Sequence, residues 1–274
     1  MEKTIKLGLV TDVIPLDQIA PGWDYYEVPN GIHMVPMESE ANWIRNRDMY
    51  RSRGVPTPVA SHYIGGFGTM ASGPSFDREQ HLYWAERSFR RMSEAGVQVA
   101  GIWGGFFQAP AGYGREKAID DAISFCNIVA DQAEKYGMLV ALEPNADPGT
   151  LFPSYREGLE FAKATGRRSI RVMADLNYFI KLNEPLEVIR LDPSYCLHVH
   201  MAGEGNGFSQ PNIEPRTALY RELFNLLYEI GYTRTVSVAA PWMSSVGAET
   251  IDYPYETAVT LEYMRKLRDE YYRG

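Results

Sequence analysis

The sequence predicts an α/β fold, a single-domain (β/α)8 barrel over residues 1–274, and three observations carry that expectation. Eight short apolar runs alternate with helical stretches, as strands buried on both faces of a parallel sheet do when helices join them. No glycine-rich turn follows the first run, where a doubly wound open sheet usually carries one. Four of the later runs also share a form, clearest in Met138-Leu139-Val140-Ala141-Leu142-Glu143-Pro144-Asn145. There five apolar residues lead straight into a carboxylate and a proline stops the run. An unpaired buried acid is costly, so Glu143 needs a partner such as a metal ion or a substrate proton.

Taken in order, Lys6–Thr11 reads as the first strand and Asp24–Val28 as the second, with Pro15 and Pro21 leaving only a short or irregular helix between them. A helix over 39–53 ends at Gly54, a good C-terminal stop. Pro58–Tyr63 is strand three, followed by a Gly/Ser-rich loop to Ser75. Leu82, Ala85, Phe89 and Met92 then recur at helical spacing, with Gly96 beyond them. Val97–Trp103 is strand four, and a Gly/Phe/Pro-rich loop covers 104–114. Helix four has a stripe of Ile119, Ala122, Ile123, Cys126, Val129, Ala130 and Ala133, stopped at Gly137. Strand five is the opening stretch. Ser154 and Glu157 have the spacing of a capping box for a helix ending at Gly166. Ser169–Asp175 is strand six, with a short helix after Asn183. Leu197–Met201 is strand seven, then a long loop and a helix ending at Gly231. Thr235–Ala239 is strand eight, and a last helix carries Ala258, Leu261, Met264 and Leu267.

Bulk composition excludes several classes. At 45% hydrophobic and 23% charged the chain is ordinary globular protein. A net charge of -8 and a pI near 5.2 argue against nucleic acid, which needs a basic surface. No run approaches a membrane span, and Met1-Glu2-Lys3-Thr4 leads into a strand rather than a signal peptide. Cys126 on a helix and Cys196 on a strand fit two buried thiols in a reducing cytoplasm.

In such a barrel the chemistry sits at the C-terminal ends of the strands, and side chains of one parity face the axis. Glu143 shares its face with Ala141 and Leu139. Strand six ends on Asp175, and strand seven places His198 and His200 on one face, His200 nearer the mouth. Strand eight offers Ala239 at the matching level. A ring of Glu143, Asp175 and His200 suits Mn2+, Mg2+ or Co2+, with Zn2+ also open. Each residue has a plainer reading. Glu143 could be a salt-bridged core acid, Asp175 a helix cap, His198 a hydrogen-bonded core histidine beside the ligands. His62 could touch substrate or be a satisfied polar tip, and Trp103 could wall the pocket or fill it. Glu27, closing strand two, reads as a structural ion-pair partner. His33 in a loop and His81 on a surface helix read as structural or solvated.

With those residues in view, the chain resembles the xylose isomerase-like TIM barrels, the sugar phosphate isomerase/epimerase superfamily, over nearly its whole length. The resemblance rests on LVALEPN at Glu143, MADLNYF at Asp175, LHVHMAG at His200 and GYTRTVSVAAP over 231–241. VAGIWGGFFQAPAGY and HVHMAGEGN are similar to the branch with C-glycoside deglycosidase subunits and other 3-oxo-glycoside enzymes. The resemblance implies one divalent metal, manganese first, held by a Glu, an Asp, a His and a second Glu from strands five to eight. Matched by position, the first three are Glu143, Asp175 and His200. The fourth departs from the pattern, because the family reads Ser-Val-Glu-Ala where this chain has Ser237-Val238-Ala239. Tyr178 likewise stands where ketose 3-epimerases carry a histidine, and their substrate-gripping arginine is not evident around Asn206.

The missing acid matters because the fourth ligand is also one of the two acid/base groups in the two-base epimerases, as the resemblance implies. Three accounts fit it: an engineered Glu→Ala variant, a natural enzyme with three protein ligands and open positions, or a non-catalytic carbohydrate-binding barrel. The expectation is a metal-dependent sugar isomerase or epimerase, or a lyase cleaving 3-oxo-glycosides. Glu143 would move the proton, and His62, Trp103, Tyr178, His198 and Trp242, with Phe106, would surround a sugar or glycoside-derived substrate. A homo-oligomer or a complex with a partner subunit is expected. A DNA-repair endonuclease of the same fold would need a trinuclear zinc site, which five histidines and net negative charge disfavour.

Overall fold

The computed structural model describes residues 4–12, 14–61, 63, 67–201, 216–239 and 251–272. Eight parallel strands close into a barrel in chain order: β1 Lys6–Val10, β2 Tyr25–Pro29, β3 Val59–Ser61, β4 Val99–Trp103, β5 Leu139–Glu143, β6 Ile170–Asp175, β7 Cys196–Met201 and β8 Thr235–Val238. The outer layer is α1 Glu40–Ser52, α2 Arg78–Ala95, α3 Arg115–Lys135, α4 Tyr155–Ala164, α5 Leu176–Leu182, α6 Thr217–Glu229 and α7 Tyr253–Tyr272. Among the described residues between β1 and β2 there is only a 3-10 turn at Leu16–Gln18, in keeping with the two prolines.

Local signals explain most boundaries. Asp77 caps α2 by accepting from the Gln80 amide, and Gly96 ends it at φ 87. Ser154 and Glu157 form the expected capping box of α4. The phase of α2 differs from the expected stripe. Leu82 is 39% exposed, whereas His81, Ala85, Ser88, Phe89, Arg91 and Met92 form the inner face. His81 is therefore buried, not solvated: its Nε2 lies 2.9 Å from the Met70 carbonyl. In α7, Thr257 and Thr260 take the buried places beside Leu261, Met264 and Leu267, and Ala258 faces out. The helix expected after Asn183 is a 3-10 segment, Leu186–Leu191, while α5 precedes Asn183, which ends it in the left-handed conformation.

Two features of the barrel interior position the mouth. The first is a bulge in β7. Val172 pairs with Cys196 but Met173 pairs with His198, so Leu197 is the extra residue. Leu197 and His198 both turn toward the axis, and alternation then sends His200 inward opposite Asp175. The second lies near the base, where the Tyr25 ring crosses the interior and its hydroxyl meets Ser237 Oγ at 2.6 Å. Gly8 on the neighbouring strand leaves room for that ring, because a Cβ there would fall 2.1 Å from Tyr25 Cζ.

Gly8→Ala should accordingly destabilise the fold by about 1–3 kcal/mol through overpacking, since the tethered ring cannot swing away. Urea denaturation reads the effect, and an unchanged midpoint would contradict this packing.

Candidate metal centre and active site

Adjacent strand ends bring the chemistry together. In the barrel register Trp103 pairs with Glu143, Asp175 with His200, and His200 with Ser237. Glu143, Asp175 and His200 are 5%, 6% and 3% exposed, too little for water to solvate their charges alone. His200 Nδ1 lies 3.7 Å from Glu143 Oε1 and 3.6 Å from Asp175 Oδ2. Those spans exceed a hydrogen bond, yet two metal–ligand bonds of about 2.1 Å each can bridge them. Two carboxylate oxygens and one imidazole nitrogen are a donor set for a divalent cation, and the three residues form one of two groups able to hold an ion among the described residues.

Asp175 fills both roles weighed for it. Its Oδ1 accepts from the Asn177 amide at 2.7 Å and caps α5, while Oδ2 faces His200. The cap fixes the carboxylate's orientation, leaving its second oxygen directed at the site.

The other side of His200 meets Glu27, so this acid is more than the structural ion-pair partner expected from its place in β2. Glu27 Oε1 lies 2.9 Å from His200 Nε2, and Oε2 lies 2.8 Å from His198 Nε2. Glu27, His198 and His200 are the second group able to hold an ion. Here the contacts have hydrogen-bond length, so protons bridge these atoms and the cation position falls to the Glu143 side. A signal for Glu27 existed: it shares the inward parity of Tyr25 in a strand buried throughout.

Charge and burial oppose each other throughout the cluster. Burial raises the Glu27 carboxyl, but the two imidazoles outweigh it and hold the group well below the usual range. Burial disfavours a charged His200 ring, but Glu27 first, then Asp175 and Glu143, hold it well above its ordinary value. Burial lowers His198, with Glu27 opposing. Burial pushes Glu143 up to about 7, against the pull of His200 and with a further push from Asp175.

Toward the rim, Trp103 Nε1 donates to the Tyr178 hydroxyl at 2.7 Å, and Phe106 packs edge-on to the Trp103 ring at 5.4 Å. Gly105 permits this, since a Cβ there would sit 2.6 Å from the indole. Burial and the carboxylates of Glu143 and Asp175 raise the Tyr178 phenol. Ala239 follows β8 in the inward register of Ser237, its amide donating to the Met201 carbonyl at 2.6 Å. A methyl group thus occupies the position where the resemblance implies an acid. His62 and Trp242 lie outside the described residues.

In chelator-treated protein the Glu143 carboxyl carbon should titrate at about 7 rather than 4.5. Its bound proton stabilises the folded state fully below the unfolded pKa, and that contribution is lost as pH rises through 7. 13C NMR checks this, and titration at or below 4.5 would contradict the described environment.

Cys126 and Cys196 are both buried and unpaired, and no described helix is long and apolar enough to cross a membrane. Several solved structures share the fold. The 3-keto-D-glucoside 4-epimerase of E. coli is 15% identical, with a TM-score of 0.72 over 96% of this chain and 99% of that one. D-psicose 3-epimerase from Clostridium cellulolyticum, with D-tagatose, is 17% identical, with a TM-score of 0.77 over 96% and 99%. An IolI protein with a bound zinc atom is 13% identical, with a TM-score of 0.71 over 98% and 100%. At such identities the likeness establishes the architecture alone. No curated protein matches the sequence. The family model described as xylose isomerase-like TIM barrel matches residues 20–267. The closed eight-stranded barrel and that match, which spans most of the chain, together establish that this protein belongs to the xylose isomerase-like TIM barrel family.

Proposed function

We propose that this chain is a divalent-metal-dependent enzyme of the sugar isomerase/epimerase kind, using Mn2+ and acting on a sugar or glycoside-derived hydroxyketone. The observation that carries the reading is the convergence of Glu143, Asp175 and His200 from three consecutive strands, with His200 Nδ1 3.6–3.7 Å from both carboxylates. Supporting it are fold neighbours that include a keto-glucoside epimerase, a ketose epimerase and a zinc-bound protein.

Glu143, Asp175 and His200 would hold the cation. Bound there, it supplies Lewis-acid polarisation of a substrate carbonyl. The protein supplies the base. Glu143, a buried carboxylate at the mouth of the barrel, is the group placed to take a proton from carbon. Glu143 removes the proton from the carbon beside the carbonyl, and the C–H electron pair passes into the enediolate. Returning the proton to the former carbonyl carbon, while the hydroxyl proton passes to the former carbonyl oxygen, completes an isomerisation. Alternatively the same electron pair expels a substituent on the β-carbon, which is the elimination that cleaves a 3-oxo-glycoside. Trp103, Phe106 and Tyr178 offer aromatic faces and a hydroxyl to the sugar at the rim.

Ala239 favours these one-base reactions over two-base epimerisation. Inverting a carbon by direct proton transfer needs a proton taken from one face and another delivered to the opposite face, and the methyl group at 239 can do neither. A shared first step also gives a shared assay. With Mn2+ in D2O, a panel of ketoses and 3-oxo-glucosides should contain a substrate that gains deuterium next to its carbonyl. Chelation should abolish the exchange, and Glu143→Gln should slow it by roughly 10²–10⁴-fold. Mass spectrometry reads the result. Sugar binding without metal-dependent exchange would replace this reading with a non-catalytic carbohydrate-binding barrel.

A further inference from the structure

Glu27 is buried in β2, and both of its carboxylate oxygens are engaged by imidazoles: Oε1 by His200 Nε2 at 2.9 Å and Oε2 by His198 Nε2 at 2.8 Å. An ionised carboxylate offers acceptors and no donor, so both ring nitrogens facing it must carry the protons. When a ring is neutral, as His200 must be to bind a cation, its lone pair is then on Nδ1. For His198 that atom lies 2.8 Å from the Thr235 hydroxyl, which can donate to it, and 3.0 Å from the Thr235 carbonyl, which can only accept. The Thr235 carbonyl is served separately by the Tyr232 hydroxyl at 2.8 Å. For His200 the lone pair points to the space between Glu143 and Asp175.

We propose that Glu27 is a positioning residue that locks His200 as the Nε2–H tautomer, so that Nδ1 is the atom presented to a cation held with Glu143 and Asp175. His198 and Thr235 form the anchor that holds Glu27 in place. The chain of contacts runs Thr235–His198–Glu27–His200, from the start of β8 across the barrel to the site. It also sets an acid behind the ligating imidazole in a chain whose β8 position carries only a methyl group. A carboxylate behind a ligating imidazole orients the ring and raises its basicity.

The inference rests on the metal reading above, and the tests separate the two. In 15N-labelled, Zn2+-loaded protein, long-range 1H–15N correlation should show His200 Nδ1 with the shift of a metal-bound nitrogen. The Nε2 of both His198 and His200 should carry slowly exchanging, downfield protons. Glu27→Gln keeps the shape but makes one oxygen into a donor, which cannot face an N–H. One imidazole must therefore give up its Nε2 proton. The proposal assigns that change to His200, whose proton moves to Nδ1 facing Glu143 and Asp175 and blocks the cation; a shift on His198 instead, with Nδ1–H donating to the Thr235 carbonyl, would leave Zn2+ binding intact and overturn it. Zn2+ titration calorimetry should show affinity falling by roughly 10–100-fold, and the downfield His200 Nε2–H signal should disappear. A variant that stays folded by circular dichroism and binds Zn2+ as tightly as the parent would overturn the proposal, as would a parent spectrum with His200 bound through Nε2. Should Glu27→Gln fail to fold, the parent spectrum alone decides. If the parent takes up no Zn2+, the metal reading fails. The metal-free protein, brought to a pH at which His200 carries a single ring proton, then still supports or refutes the role of Glu27 by whether that proton sits on Nε2 or Nδ1.

Discussion

Three buried carboxylates surround the His200 imidazole at the mouth of this barrel, and the cost of keeping their charge out of water constrains everything near them. A single ionised carboxyl removed from water without compensation is prohibitively unfavourable. Glu27 meets the cost with two imidazole N–H donors, Asp175 partly with the amide at the start of α5, and Glu143 by holding its proton to about 7. That unequal division matters for chemistry. Glu27 is fully committed to hydrogen bonds, Asp175 is half committed, and Glu143 remains able to exchange a proton. A cation between Glu143 and Asp175 would relieve the remaining repulsion.

The fold delivers this arrangement through irregularities as much as through its regular alternation. Without the bulge at Leu197, alternation would place His198 and His200 on the opposite face of β7 from the one that meets Asp175. The hydrogen-bonded chain from Thr235 to His200 needs both histidines on the axis at once. Lower down, the Tyr25–Ser237 contact and the room left by Gly8 fill the interior below the charged layer. That plug sits directly beneath Glu27 on β2, so packing and charge compensation are stacked along the same strand.

Much of this was legible in the residues. Glu143, Asp175 and His200 stand at the ends of strongly apolar strands, where a polar side chain has no packing reason to be. The inward register follows from period-two alternation. Glu27 escaped because its strand reads as aromatic and apolar, and an acid beside two tyrosines suggests an ordinary ion pair. Its partners lie more than 170 residues away in sequence, a pairing that only barrel closure creates. The phase of α2 is hidden in the sequence because Leu82 outranks His81 in hydrophobicity, whereas the buried imidazole is compensated by the Met70 carbonyl. The α5 helix is only seven residues long and starts directly at the end of β6, so its sequence signal is little more than the Asp175 cap, and the two oxygens of Asp175 allow both cap and ligand.

The most direct measurement is anomalous diffraction from crystals grown with Mn2+, recorded above the manganese edge. The account predicts a single strong peak within bonding distance of Glu143, Asp175 and His200 Nδ1, with Glu27 still hydrogen-bonded behind the ring. A peak ligated instead by Glu27 and His198, or no peak at the barrel mouth under saturating manganese, would contradict it.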